Sequence, residues 1–260
     1  MRHYCALIDI GYLKHFLALH ESMQRWCKPF TMHMLALDEQ VARDLVGIDN
    51  VETVPLSTIE TEEIRLLKPQ REYKHYVWTL KPLWIRRVTQ EVGSVTYLDT
   101  DSYFFSSPDG LYEEIGDADM AITPHRFMPS RMHWLPKVGQ FNAGFIYFKG
   151  EHECLSNWCD QTLEFCGRKE GYFVDQMYLN EWPDRWGAHI VRHKGINLAP
   201  WNQGEGQYTY GHQDGVVYVD EDQLVWYHFH HHIVPHYKLD PFVQKFLYEP
   251  YKEVLEQIKC

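Results

Sequence analysis

Ser94-Val95-Thr96-Tyr97-Leu98-Asp99-Thr100-Asp101-Ser102-Tyr103-Phe104-Phe105 is the stretch around which the chain is organised. A helical pattern stops at Gly93, and the short run Val95 to Leu98 comes next. That is the signature of a buried strand in an α/β sheet. The strand runs out in Asp99-Thr100-Asp101. In open α/β sheets, ligands bind beyond the carboxyl ends of strands. Two carboxylates two residues apart at that point can converge on one hard cation. Such a cation grips a diphosphate.

Sixteen Asp in 260 residues give about one D-x-D triplet by chance, so context has to decide. Asp117 and Asp119 precede the apolar run Met120 to Ile122 and sit where a strand begins. Asp220 and Asp222 lie between Val216–Val219 and Leu224–Tyr227, at a polar hairpin tip. Only Asp99 and Asp101 follow an apolar strand and precede an aromatic run. The competing reading is a solvated loop pair that caps the next helix, near Pro108.

A chain of 260 residues and 31.0 kDa suits one large α/β unit with a sizeable core. Its formal net charge of −11 argues against nucleic acid, which needs a basic footprint. It also argues against simple electrostatic docking to anionic lipid. No apolar run approaches a membrane span, which leaves peripheral association open. Met1-Arg2-His3 runs straight into a strand, with no signal-like leader. The six cysteines show no C-x-x-C spacing, so a zinc site is disfavoured. They read as reduced thiols of a cytoplasmic protein.

In order, Tyr4 to Ile8 is a strand, ended by Asp9 with a turn at Gly11. Tyr12 to Trp26 has apolar positions at helical spacing. Thr31 to Leu37 is a strand, Asp38 caps a helix through Leu45, and Val51 to Pro55 is a strand. This opening predicts a doubly wound, mostly parallel sheet. No G-x-G-x-x-G and no P-loop is present, which disfavours a Rossmann dehydrogenase and a P-loop enzyme. Ser57 to Leu67 reads as helix and Pro69 to Tyr73 as loop. Tyr76 to Val92 reads as a long helix interrupted or begun at Lys81-Pro82. Residues 124–139 have little pattern and are the expected mobile loop on the acceptor side. Strands come next at 145–148 and near Ile190, with a helix at 151–166. The loop Asn197-Leu198-Ala199-Pro200-Trp201-Asn202 leads into a hairpin. We expect one domain over 1–260, with 233–260 as a helical tail.

His228 follows Leu224–Tyr227 as Asp99 follows Leu98. Two carboxylates and an imidazole suit a borderline metal such as Mn²⁺. The alternatives are a surface histidine cluster at 228, 230, 231, 232 and 236, or a ligand at His230, which shares a strand face with His228. Asn142 precedes Ala143-Gly144, where small residues let a ligand approach the backbone; turn asparagines are also common. Asp175-Gln176 begins a helix, as a plain cap or as a carboxylate and amide reaching sugar hydroxyls.

Together and in this order, these pieces resemble the family 8 glycosyltransferases, the group of glycogenin and the lipopolysaccharide galactosyltransferases. Residues 97–105 look like that family's metal-binding D-x-D, and residues 107–113 resemble the segment that the family carries after it. Phe141-Asn142-Ala143-Gly144 resembles its F-N-[AS]-G. Residues 175–180 are similar to its D-Q-x-x-L-N, and His228-Phe229 to its H-F. Ile8 to Tyr12 occupies the place of its nucleotide-binding turn. The resemblance covers roughly 4–232.

It implies a GT-A fold and a retaining, metal-dependent transferase of a hexosyl unit from a nucleotide-sugar, a UDP-sugar. Asp99, Asp101 and His228 would bind Mn²⁺ or Mg²⁺, and through it the diphosphate. Asp9 and Tyr12 would hold the base, and Lys81 would support phosphate or sugar. Asn142 would bind the sugar, with Asp175 or Gln176 nearest the reacting carbon. Asn197 and Asn202 are also placed at the donor. The acceptor would be a glycan, a lipid-linked sugar or a protein. The chain departs from the family at Val174, at His231 (in place of a glycine) and at Val234 (in place of K-P-W). Lys238 and His232 are the candidate replacements for the missing phosphate lysine. The rival readings are a nucleotide-sugar hydrolase and a catalytically silent carbohydrate-binding protein.

Overall fold

The computed structural model describes residues 1–169, 172–173, 175–230 and 238–258. Val174, His231, His232, Val234 and His236 therefore lie outside the described residues. The opening alternates as the pattern predicts: β1 (Arg2–Ile8), α1 (Leu13–Trp26), β2 (Phe30–Ala36), α2 (Glu39–Asp44) and β3 (Val51–Pro55). The Asp38 side chain accepts from Val41 N–H and caps α2. It also accepts from Ile10 N–H at 2.8 Å, which ties the turn after β1 to the start of α2.

After α3 (Glu62–Leu67) comes α4 (Tyr73–Val92), then β4 (Ser94–Leu98), β5 (Ser102–Phe104), α5 (Asp109–Ile115), β6 (Met120–Pro124) and β7 (Phe141–Lys149). Among the described residues, seven strands form the main sheet, in the order His189–Ile190, β6, β7, β4, β1, β2, β3. β1 runs parallel to β2 and β4, β2 to β3, and β6 to His189–Ile190. Only β7 runs against its neighbours, β4 and β6. The expected mostly parallel sheet is present, with one reversed strand.

Both faces of β1 are buried, as in sheets covered by helices on each side. Cys5 and Leu7 pack with Leu80, Trp84 and Val88 of α4. Tyr4, Ala6 and Ile8 pack with Phe16, Leu19 and Met23 of α1. This alternation is the period of two that a strand imposes.

Three local expectations need correction. α4 is not interrupted at Pro82: it starts at Tyr73 and runs through the buried Lys81-Pro82 pair to Gly93, whose φ is 83°. Proline removes one helical hydrogen bond, but packing of the surrounding turns holds the helix. Residues 57–67 are not one helix, because Thr61 caps a separate α3 through Ile64 N–H. Residues 124–139 are not a patternless loop. They hold a 3-10 turn (Pro129–Trp134) and a short helix (Leu135–Val138), and Trp134, Leu135 and Val138 pack on Phe127, Ala199 and Trp201.

A second, three-stranded sheet positions the site. The chain leaves the main sheet after Leu98, passes Asp99-Thr100-Asp101 and continues as β5. Trp226–His228 pairs antiparallel with β5, placing Tyr227 opposite Tyr103 and His228 opposite Ser102. Phe229 N–H extends this pairing to Asp101 O at 2.8 Å. Behind it the C-terminal helices dock on α1. Tyr251 stacks on Phe229 at 3.7 Å between ring centroids, and its hydroxyl meets His15 at 2.9 Å. No helix among the described residues is long and apolar enough to cross a membrane.

Candidate active site

A cavity of about 550 Å³ opens at the carboxyl ends of β1 and β4. Nine of the expected site residues line it: Asp9, Tyr12, Lys81, Asp99, Asp101, Asn142, Asp175, Gln176 and His228. Asp99 and Asp101 do not cap the next helix, whose N-cap is Pro108 with no side-chain cap. Asp101 is buried, and its Oδ1 lies 3.2 Å from His228 Nε2; Asp99 Oδ2 lies 3.8 Å from the same nitrogen.

The other ring nitrogen of His228 is 3.3 Å from Asn142 Oδ1. An Nδ1–H donated there leaves the Nε2 lone pair facing the carboxylates, the outer-sphere arrangement typical of a ligating histidine. Asn142 Oδ1 also accepts from Gly144 N–H at 3.0 Å. Gly144 is small for a reason. A Cβ there would come within 2.7 Å of Asn142 Oδ1, 2.8 Å of His228 Cε1 and 2.9 Å of Asp99 Oδ2. Any side chain at 144 would fill the space between the three groups.

Lys81 is the buried cation of the site. Its Nζ lies 3.1 Å from Asp175 Oδ2, 3.4 Å from Asp99 Oδ1 and 3.2 Å from Ala143 O. Burial opposes the charge on Lys81, but Asp175 and Asp99 outweigh it and raise its pKa. Burial pushes the Asp175 carboxyl up, and Lys81 pulls against that. Tyr97, not foreseen from the sequence, donates its hydroxyl to Asp99 Oδ1 at 3.0 Å. Burial, with the Asp99 charge added, raises that phenol far above its ordinary value.

Asp175 opens a 3-10 turn, Gln176–Glu181, without capping it. Trp158 Nε1 holds its backbone carbonyl at 3.0 Å, which leaves the carboxylate to Lys81. Gln176 Nε2 donates to Val138 O at 2.7 Å, and Asn180 Oδ1 accepts from Gln140 N–H at 2.8 Å. The 175–180 segment thus braces the 135–140 turn as well as lining the cavity.

At the far end, Asp9 Oδ1 accepts from Gly11 N–H at 2.9 Å. Burial first, then the charges of Asp101, Asp99 and Asp9, push the Tyr12 phenol upward. Tyr73 is a second residue the sequence did not reveal, because 69–73 reads as loop. It lines the same mouth, and its phenol is raised by burial and then by Asp9. His125, Phe127, Trp134, Trp201 and His230 also line the cavity. Burial drives the His125 imidazole down to about 3, so it is neutral.

Two expected donor contacts are not at the cavity. Asn202 Oδ1 accepts from Ala199 N–H, and its Nδ2 donates to His125 O and Asn197 O. Asn197, with φ 60°, donates to Pro124 O. Both amides are turned into backbone and hold the loop that presents Trp201. Lys238 is exposed and does not line the cavity. Asp220 and Asp222 are structural: Asp220 pairs with Lys194 at 3.0 Å, and Asp222 Oδ2 accepts from Lys194 N–H at 2.6 Å.

No family model matches the chain. It is 30% identical over 240 residues to the uncharacterized protein YfnD of Bacillus subtilis, covering 87% of this chain and 76% of YfnD. It is 30% identical over 244 residues to the uncharacterized protein YfnF of the same organism, covering 87% and 80%. Among solved structures it resembles the galactosyltransferase LgtC, solved with donor and acceptor sugar analogues. The TM-score there is 0.62 and the identity 15%, over 99% of this chain and 96% of LgtC. It also resembles the glycosyltransferase GlyE of Streptococcus pneumoniae, with a TM-score of 0.60 and 15% identity over 99% and 60%. Mouse xyloside xylosyltransferase 1 gives 0.55 and 14% over 87% and 97%. At such identities the likeness is one of fold. The chain therefore belongs to the family of Bacillus subtilis YfnD and YfnF, built on the GT-A glycosyltransferase fold.

Proposed function

We propose that this protein is a metal-dependent, retaining glycosyltransferase that moves a hexosyl unit from a UDP-sugar to a glycan, lipid-linked or protein acceptor. One observation carries the reading. Asp99, Asp101 and His228 converge in one cavity with a buried Lys81–Asp175 pair. LgtC, GlyE and the mouse xylosyltransferase, all glycosyltransferases by name, support it by fold.

The residues fit a divalent ion. Two carboxylates and an imidazole turned by Asn142 face a space that the missing side chain of Gly144 keeps open. Mn²⁺ or Mg²⁺ held by Asp99, Asp101 and His228 would offset, as a Lewis acid, the negative charge of the departing diphosphate. Asp9 and Tyr12, with Tyr73, hold the base at the far end. Lys81 fixes the Asp175 carboxylate and adds positive charge near the phosphate. Asp175 faces the transferred sugar and offsets the positive charge that grows on its ring, as carboxylates do in glycoside hydrolysis. Gln176 and Asn142 read sugar hydroxyls. The aromatic wall of Phe127, Trp134 and Trp201 receives the acceptor. We read the chain as one unit with 233–260 as its tail. Its buried thiols Cys5, Cys27, Cys154, Cys159 and Cys166 suit a reducing, cytoplasmic compartment.

Incubation with UDP-sugars and Mn²⁺, following free UDP with and without a glycan acceptor, tests the proposal. Acceptor-stimulated release is the expected outcome. Release indifferent to acceptor makes the protein a nucleotide-sugar hydrolase, and no release with any donor leaves a silent binding protein.

A further inference from the structure

We propose that His230 is a metal ligand, so that the centre offers two imidazoles beside its carboxylates and takes Mn²⁺ or a softer divalent ion in preference to Mg²⁺. This deepens the transferase reading and rests on it for the place of the ion. One ligand atom each from Asp101, His228 and His230 lie within 4.8 Å of one another. Ligand atoms about 2.1 Å from a common ion fall within that spread.

The backbone path explains how position 230 arrives there. Trp226–His228 is the last stretch paired with β5, and Phe229 N–H is held by Asp101 O at 2.8 Å. His230 then adopts φ 40°, in the left-handed region that non-glycine residues rarely occupy. Conformations of this kind persist where the surroundings over-determine them, and they cluster at functional sites. Its ring lies 5.6 Å from that of His228, at 90° to it. Trp201 sets an edge against both, at 5.3 Å and 5.1 Å between centroids. One indole thus wedges two imidazoles beside the same carboxylate.

The carboxylate side fits this count. Asp99 Oδ1 is taken by Tyr97 and Lys81, which leaves Oδ2 toward His228. Asp101, His228 and His230 then offer one oxygen and two nitrogens to a common ion, with Asp99 Oδ2 beside them at 3.8 Å from His228 Nε2. Carboxylates and water suit Mg²⁺, whereas imidazoles favour later first-row ions. A second imidazole therefore moves the preference away from Mg²⁺.

The test uses the metal alone, so it does not depend on turnover. Mn²⁺ and Mg²⁺ are titrated into the nucleotide-free full chain, and pulsed electron paramagnetic resonance counts the nitrogens on bound Mn²⁺. Wild type should bind Mn²⁺ more tightly than Mg²⁺ and show two nitrogens. His230→Ala and the near-isosteric His230→Gln should show one, and should lose on the order of tenfold or more in Mn²⁺ affinity. Two nitrogens and unchanged affinity in both variants, with loss only in His228→Ala, overturn the proposal while leaving the transferase reading intact. Equal Mg²⁺ and Mn²⁺ affinity in wild type also overturns it. If neither histidine affects Mn²⁺ binding, the ion is elsewhere and both readings fall.

Discussion

At a helical start, an aspartate normally gives its carboxylate to the first backbone N–H groups. Asp175 does not, and instead faces Lys81 at 3.1 Å. The sequence offers both readings of this residue. What decides between them is a lysine on a distant helix, which no local pattern can show. The same blindness applies at Asn197 and Asn202, whose amides are turned into backbone, because such an amide and one turned to a sugar look alike in sequence. Asp175→Asn keeps the volume, removes the charge and leaves Lys81 paired with Asp99. We expect turnover to fall about a hundredfold or more, with UDP affinity within about twofold of wild type. Steady-state kinetics beside calorimetric UDP binding checks this. An equal loss of both would make Asp175 a structural residue.

Elements were legible where one periodicity ran long enough to average over exceptions. β1 to β4 and α1 lie where apolar runs or helical spacing put them. The two-residue strand His189–Ile190 was barely marked, because its place is set by side chains from elsewhere. Glu114 of α5 accepts from His189 Nε2 at 3.1 Å, Arg192 N–H at 2.6 Å and His193 N–H at 3.0 Å. Burial would raise this carboxyl, but those donors outweigh it and hold it below its ordinary 4.5. A depressed carboxylate contributes stability that is present above its unfolded value and lost as pH falls through the folded one. Glu114→Gln should cost about 1–3 kcal/mol at neutral pH. Its gap from wild type should narrow as pH drops below 4.5. Urea unfolding of both proteins at neutral and acid pH checks this, and a gap that does not change with pH contradicts it.

For the molecule as a whole, the parts of the site were legible, but the join between them was not. Asp99-Thr100-Asp101 and His228 each stood out after a strand. Their meeting depends on β5 pairing with Trp226–His228 in a register that sets His228 opposite Ser102. Pairing between segments so far apart leaves no local trace, and only the order of motifs, read as a resemblance, anticipated it. This join is expected to make a metal-dependent nucleotide site. It is tested most directly by calorimetric titration of UDP in Mn²⁺ and in chelator, for wild type, Asp101→Asn and Asp119→Asn. Mn²⁺-dependent binding is expected in wild type and Asp119→Asn. In Asp101→Asn, affinity should fall to the level seen in chelator with the melting temperature retained. An Asp101→Asn protein that binds UDP in Mn²⁺ as tightly as wild type would contradict it.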